Sequence, residues 1–99
     1  MIFINIRIFI NEILFTISKF ERETEIIMAE NKLVIPKSFN IGDKLKYIRK
    51  YITMLVNLYC IKQASLNTEE YSEIEIIELL KIEGIIEESL SNCGVNICK

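Results

Sequence analysis

Apolar positions recur at helical steps through the middle of the chain: Ile41, Leu45, Ile48, Ile52, Leu55 and Tyr59 are separated by four, three, four, three and four residues. That spacing lines one side of an α-helix, and Tyr51 and Leu58 broaden the stripe. It predicts a main helix near 43–63. Asp43 suits its start, because a carboxylate there accepts from orphan backbone N–H groups and opposes the helix dipole. A second amphipathic stretch follows near 69–83, with Ile76, Ile77, Leu79 and Leu80 on one side and Glu75, Glu78 and Lys81 on the other. Asn67 or Thr68 can cap it, Asn67 and Glu70 have capping-box spacing, and Glu69 and Glu70 favour its first turn. Gly84 interrupts the pattern, and residues 85–92 read as a further short helix. Residues 64–68 read as a loop, and Cys93-Gly94-Val95-Asn96 as a turn before a short tail.

The first twenty residues carry two superimposed patterns. Ile2, Ile4, Ile6, Ile8 and Ile10 alternate as in a strand, whereas Asn5, Glu12, Thr16 and Lys19 fall on one side of a helix. Few strands run so long, which favours a helix from about Asn5. Asn5, Arg7, Asn11 and Glu12 break the run below the roughly 18 apolar residues of a membrane span, and no signal-peptide pattern is present. Leu33-Val34-Ile35 supports no more than a short edge strand, because Pro36 follows. The fold these patterns predict is all-α: a helical hairpin at 43–63 and 69–83 packed antiparallel, closed by a short third helix, with a short N-terminal extended segment as an option. Two segments are expected, an apolar one over 1–27 and a small helical domain over 28–99. Met28-Ala29 reads like an ordinary protein start, so 1–27 can lie outside the working product.

Composition adds limits. Ninety-nine residues give one small domain, and the 51% hydrophobic share supplies a core. No histidine is present, which removes His-based triads, general bases and zinc sites. Cys60, Cys93 and Cys98 form no CxxC and read as buried or incidental thiols of a reducing, cytoplasmic setting. Net charge is −1 over residues 1–27, +5 over 28–68 and −6 over 69–99. A positive middle and a negative end suit helices that neutralise each other, or a basic face for nucleic acid. That face consists of Lys37, Lys44, Lys46, Arg49 and Lys50, with Tyr47 able to stack among them. No phosphate loop, HExxH, GxSxG or EF-hand pattern occurs, so no catalytic, metal-binding or cofactor residue is assigned and a non-enzymatic protein is expected.

The run from Leu66 to Asn96, LNTEEYSEIEIIELLKIEGIIEESLSNCGVN, resembles the front of a helix-turn-helix module of bacterial and phage transcription regulators and sigma-like factors. The resemblance implies a supporting helix over 68–81, a second helix over 85–92 and a turn at Cys93-Gly94-Val95-Asn96. Only three residues follow the turn, so contact with DNA would fall to the basic cluster. The function expected is a small nucleic-acid-associated regulator of phage or bacterial type. The alternatives are a protein-interaction or homo-oligomerisation module, and a small membrane-associated protein acting through residues 1–20.

Overall fold

The isoleucine alternation proves to be a strand signal. In the computed structural model, which describes residues 1–69, 73 and 75–98, the first third of the chain is a meander of three antiparallel strands. They are β1 (Ile2–Ile8), β2 (Glu12–Glu21) and β3 (Thr24–Val34). The long apolar run is two strands rather than one helix, divided by a tight turn in which Phe9 N–H donates to Glu12 O (2.9 Å). No glycine or proline marks that turn. The next turn has Arg22 and Glu23 both at positive φ (51° and 67°), the conformation that matches hairpin twist. Pairing of β2 with β3 shifts between Ile17 and Ser18, opposite Ala29 and Ile27, so Met28 forms a bulge.

α1 (Ile41–Tyr59) follows, then β4 (Gln63–Thr68), α2 (Ile76–Asn92) and β5 (Asn96–Cys98). The strand order is β3-β2-β1-β4-β5, with β4 parallel to β1 and β5 parallel to β4. The fold is therefore α/β with a five-stranded mixed sheet, not all-α. Residues 64–68, expected as a loop, are β4; the short tail supplies β5. The helix expected to break at Gly84 runs through it: one interior glycine costs about 1 kcal/mol, and Leu79, Ile82, Ile85, Ile86 and Leu90 are buried on both sides of it. The expected boundary between 1–27 and 28–99 falls inside β3.

Both helices pack on one face of the sheet. Ile4, Ile6, Ile8, Ile13, Phe15 and Ile17 are at most 1% exposed there, against Ile48, Ile52, Leu55, Leu79, Ile82, Ile86 and Leu90. Each such side chain contributes roughly 1.5–3 kcal/mol by leaving water. The expected helix seam is real, but it faces strands. α1 starts at Asn40, whose Oδ1 accepts from Asp43 N–H (2.8 Å); Asp43 sits in the first turn instead of capping. It ends at Cys60, an exposed residue at φ 54° in the left-handed region, so this thiol is neither buried nor part of the seam. α2 is preceded by Glu75, which makes no side-chain cap bond; Thr68 is in β4, and Glu70 lies outside the described residues.

The helices neighbour each other in parallel, not as an antiparallel hairpin. Lys44 pairs with Glu78 and, further along both helices, Arg49 Nη2 meets Glu88 Oε1 at 3.0 Å. β4 lies between them in sequence, and that crossover forces the common direction.

Candidate functional site

In open α/β sheets ligands gather beyond the carboxyl ends of parallel strands, where chain connections leave a crevice. Here that place is the end of the β1–β4 pair. Arg7 and Asn67 are register partners there, as are Ile8 and Thr68. Strand alternation sends Ile6 and Ile8 into the core, so Arg7 must project from the face opposite the helices. Its Nε donates to Glu69 Oε1 at 3.0 Å, and its guanidinium lies 5.7 Å from the centre of the Phe9 ring. Glu69 is placed by its own backbone, whose N–H donates to Ile8 O (2.9 Å). On the helix side of the pair, Thr68 Oγ1 donates to Glu83 Oε2 of α2 at 3.4 Å.

A cavity of about 320 Å³ opens beside Arg7, lined also by Leu14, Thr16, Glu30 and Lys32. Lys32 Nζ is held 3.2 Å from Glu12 Oε2. The edge therefore offers two cations, an amide and several carboxylates. A guanidinium with donors to spare is the geometry that receives a phosphate oxygen. Among the described residues no three or more Asp, Glu or Cys side chains converge to hold a metal ion.

The residues expected to bind nucleic acid are partly brought to this end. α1 follows the carboxyl end of β3, beside Glu12, so Lys37, Lys44, Lys46 and Tyr47 lie at the same end of the sheet as Arg7. Arg49 and Lys50 sit further along the helix. Lys44 and Arg49 are engaged by Glu78 and Glu88, while Lys37, Lys46 and Lys50 are exposed. Tyr47 packs edge-on against Phe39, ring centres 5.4 Å apart. Tyr51 instead packs on Phe15 of β2 (5.2 Å), and burial there, with Tyr47 and Tyr59 nearby, pushes its phenol pKa up.

Sequence reasoning missed Arg7, Asn67, Thr68, Glu69 and Glu83. A signal exists for Arg7, a lone cation amid isoleucines, although by itself it reads only as an interruption of an apolar span. Glu69 is hidden among many glutamates, and nothing local to Asn67 or Glu83 announces that they approach β1.

No family model matches the sequence, and no curated protein is similar to it in sequence. Solved structures are similar in fold. Thermus thermophilus RuvC in complex with Holliday junction substrate superimposes with a TM-score of 0.86 at 8% identity, over 98% of this chain and 63% of that one. A second T. thermophilus RuvC structure gives 0.83 at 10% identity, over 98% and 61%. The Aquifex aeolicus Ppx/GppA enzyme gives 0.61 at 15% identity, over 98% and 34%. The chain thus spans about three fifths of the RuvC length. These neighbours overturn the helix-turn-helix resemblance: among the described residues of that run, 66–68 end a strand, 76–92 form one continuous helix and Asn96 starts a last strand. They also correct the expectation of a non-enzymatic transcription regulator: the fold is shared with RuvC and with the A. aeolicus Ppx/GppA enzyme, not with a helix-turn-helix regulator. Among the described residues no helix is long and apolar enough to cross a membrane. The architecture is that of a RuvC-like α/β fold.

Proposed function

We propose that this chain is a phosphoester-processing enzyme domain that acts on nucleic acid, with its reaction edge at the carboxyl ends of β1 and β4. The observation behind the reading is the superposition of 98% of the chain on a RuvC that holds a Holliday junction, at a TM-score of 0.86. Arg7 receives a backbone phosphate through the guanidinium donors that Glu69 does not use. Glu69, fixed by its backbone and by Arg7, is the candidate base for a water attacking the phosphorus. Asn67 adds an amide beside them. Two-metal hydrolysis requires clustered carboxylates; the described side chains do not supply such a cluster, and no step here is routed through a metal. Exposed Lys37 and Lys46 extend the positive surface at the same end, where a duplex arm would lie. The free thiols of Cys60, Cys93 and Cys98 accord with a cytoplasmic setting.

The test is incubation of the 1–99 chain with end-labelled four-way junction, linear duplex and single strands, followed by denaturing electrophoresis and anisotropy. Junction cleavage that falls at least about 100-fold in Glu69→Gln, with weakened binding in Arg7→Ala, is expected from loss of a positioned base and a charge-assisted contact. Absence of both binding and cleavage across all of these substrates would overturn the reading. Phosphate release from inorganic polyphosphate in the same samples would instead move it toward the Ppx/GppA neighbours.

A further inference from the structure

β3 is the outer strand of the sheet, eleven residues long and free of proline. An edge of this kind is a template for another strand, and proteins that stay monomeric usually blunt it. Here the edge carries the bulge at Met28 and the charges of Glu25, Glu30 and Lys32, so a second strand fits only where those charges are matched. The Ile35 N–H donates to Asn11 O (3.0 Å). By the alternation of an antiparallel ladder, Ala29, Asn31 and Leu33 then bond toward β2, and Glu30, Lys32 and Val34 aim their backbone groups outward. Apolar side chains line the same strand in the open: Val34 is 57% exposed, Ile27 55% and Met28 41%.

We propose that β3 is the interface of a homodimer, in which two copies of this chain pair edge to edge, antiparallel, about a two-fold axis at Asn31. Charge selects both the occupant and the register. An axis at Glu30 would oppose that glutamate to its own copy, an axis at Lys32 would oppose lysine to lysine, and one at Leu33 would set Lys32 against Val34. The axis at Asn31 sets Glu30 against Lys32 of the second copy, twice by symmetry, on the same face of the sheet. It also sets Met28 against Val34 of the second copy, covering two exposed apolar side chains at each end. Lys32 already contacts Glu12, but an ammonium has three donors and serves both carboxylates. The two five-stranded sheets become one continuous sheet, and the cavities beside Arg7, each lined by Glu30 and Lys32, come to lie next to each other across the axis. The inference does not depend on the reaction proposed above.

Sedimentation of the 1–99 chain across a concentration series tests it, with circular dichroism to check that each variant is folded. The wild type is expected to dimerise. Glu30→Lys and Lys32→Glu should each weaken the dimer by roughly tenfold or more, because two cross-strand pairs turn from attractive to repulsive. The double variant Glu30→Lys/Lys32→Glu restores opposite charges across the axis and should dimerise like the wild type, although Glu12 still faces a glutamate within each copy. A wild type that stays monomeric, single variants that dimerise normally, or a double variant that is not rescued would each overturn the proposal.

Discussion

Arg7 stands between two isoleucines with no exposed surface, and the alternation of an extended chain leaves its side chain no choice of face. Position rather than local motif makes it the candidate anchor of the site. Tyr51 shows the same dependence on neighbours. Its ring lies against Phe15, partly out of water, and Tyr47 and Tyr59 stand one and two helical turns away. Burial first, and then the charges of those two phenolates, raise its pKa. A phenol whose folded pKa lies above its unfolded value contributes stability that is complete below about pH 10 and is lost as pH rises from there through the folded value. Urea midpoints measured from pH 8 upward should therefore hold steady and then fall above about pH 10. Tyr51→Phe should fall less steeply over that window; parallel curves for the two proteins would remove Tyr51 as a cause.

At the scale of elements, α1 was legible because its seam repeats over five turns and Asn40–Asp43 marks its start. Even so, the helical stripe did not reveal what it packs against. A buried sheet and a second helix demand the same apolar face. β1 and β2 are hard to separate because no glycine or proline marks their junction and Asn11 alone is a weak turn signal, so the first twenty residues read as one element too long for a strand. β4 was misread for the opposite reason: QASLNT is polar on one side and short, and only its register beside Ile4, Ile6 and Ile8 makes it a strand. Pairing between distant segments is invisible to local pattern. The site shares that defect, since Arg7 and Glu69 are 62 residues apart. The sheet also bears on the start at Met28. Beginning there removes β1, the central strand, along with β2, and uncovers Ile48, Ile52 and Leu55. A 28–99 chain should show helical circular dichroism at most, with no cooperative urea transition. A sharp transition with dispersed amide signals would mean that the later elements fold without the meander.

Across the whole molecule, charge and topology converge on one end. The carboxyl ends of β1 and β4 and the first turns of both helices lie at the same end of a body 44 Å long and 23 by 20 Å across. The alternation of net charge along the sequence is partly absorbed inside the helix layer, where Glu78 and Glu88 engage Lys44 and Arg49. Exposed pairs like Arg49–Glu88 are worth at most about 1 kcal/mol, so this neutralisation organises the surface more than it stabilises the fold. What remains positive is unevenly placed. Lys37 and Lys46 accompany Arg7, whereas Lys19 and Lys62 lie toward the opposite end, beside Ile2. A nucleic acid engaged at the reaction edge should feel the first pair and ignore the second. Junction affinity should fall linearly on a log–log plot against salt, and Lys37→Gln/Lys46→Gln should flatten the slope by about two, one for each phosphate no longer neutralised. Lys19→Gln/Lys62→Gln should leave the slope unchanged. Equal effects from the two pairs would mean that charge attracts the strand without orienting it, and the end of β1 and β4 would lose its claim to the substrate.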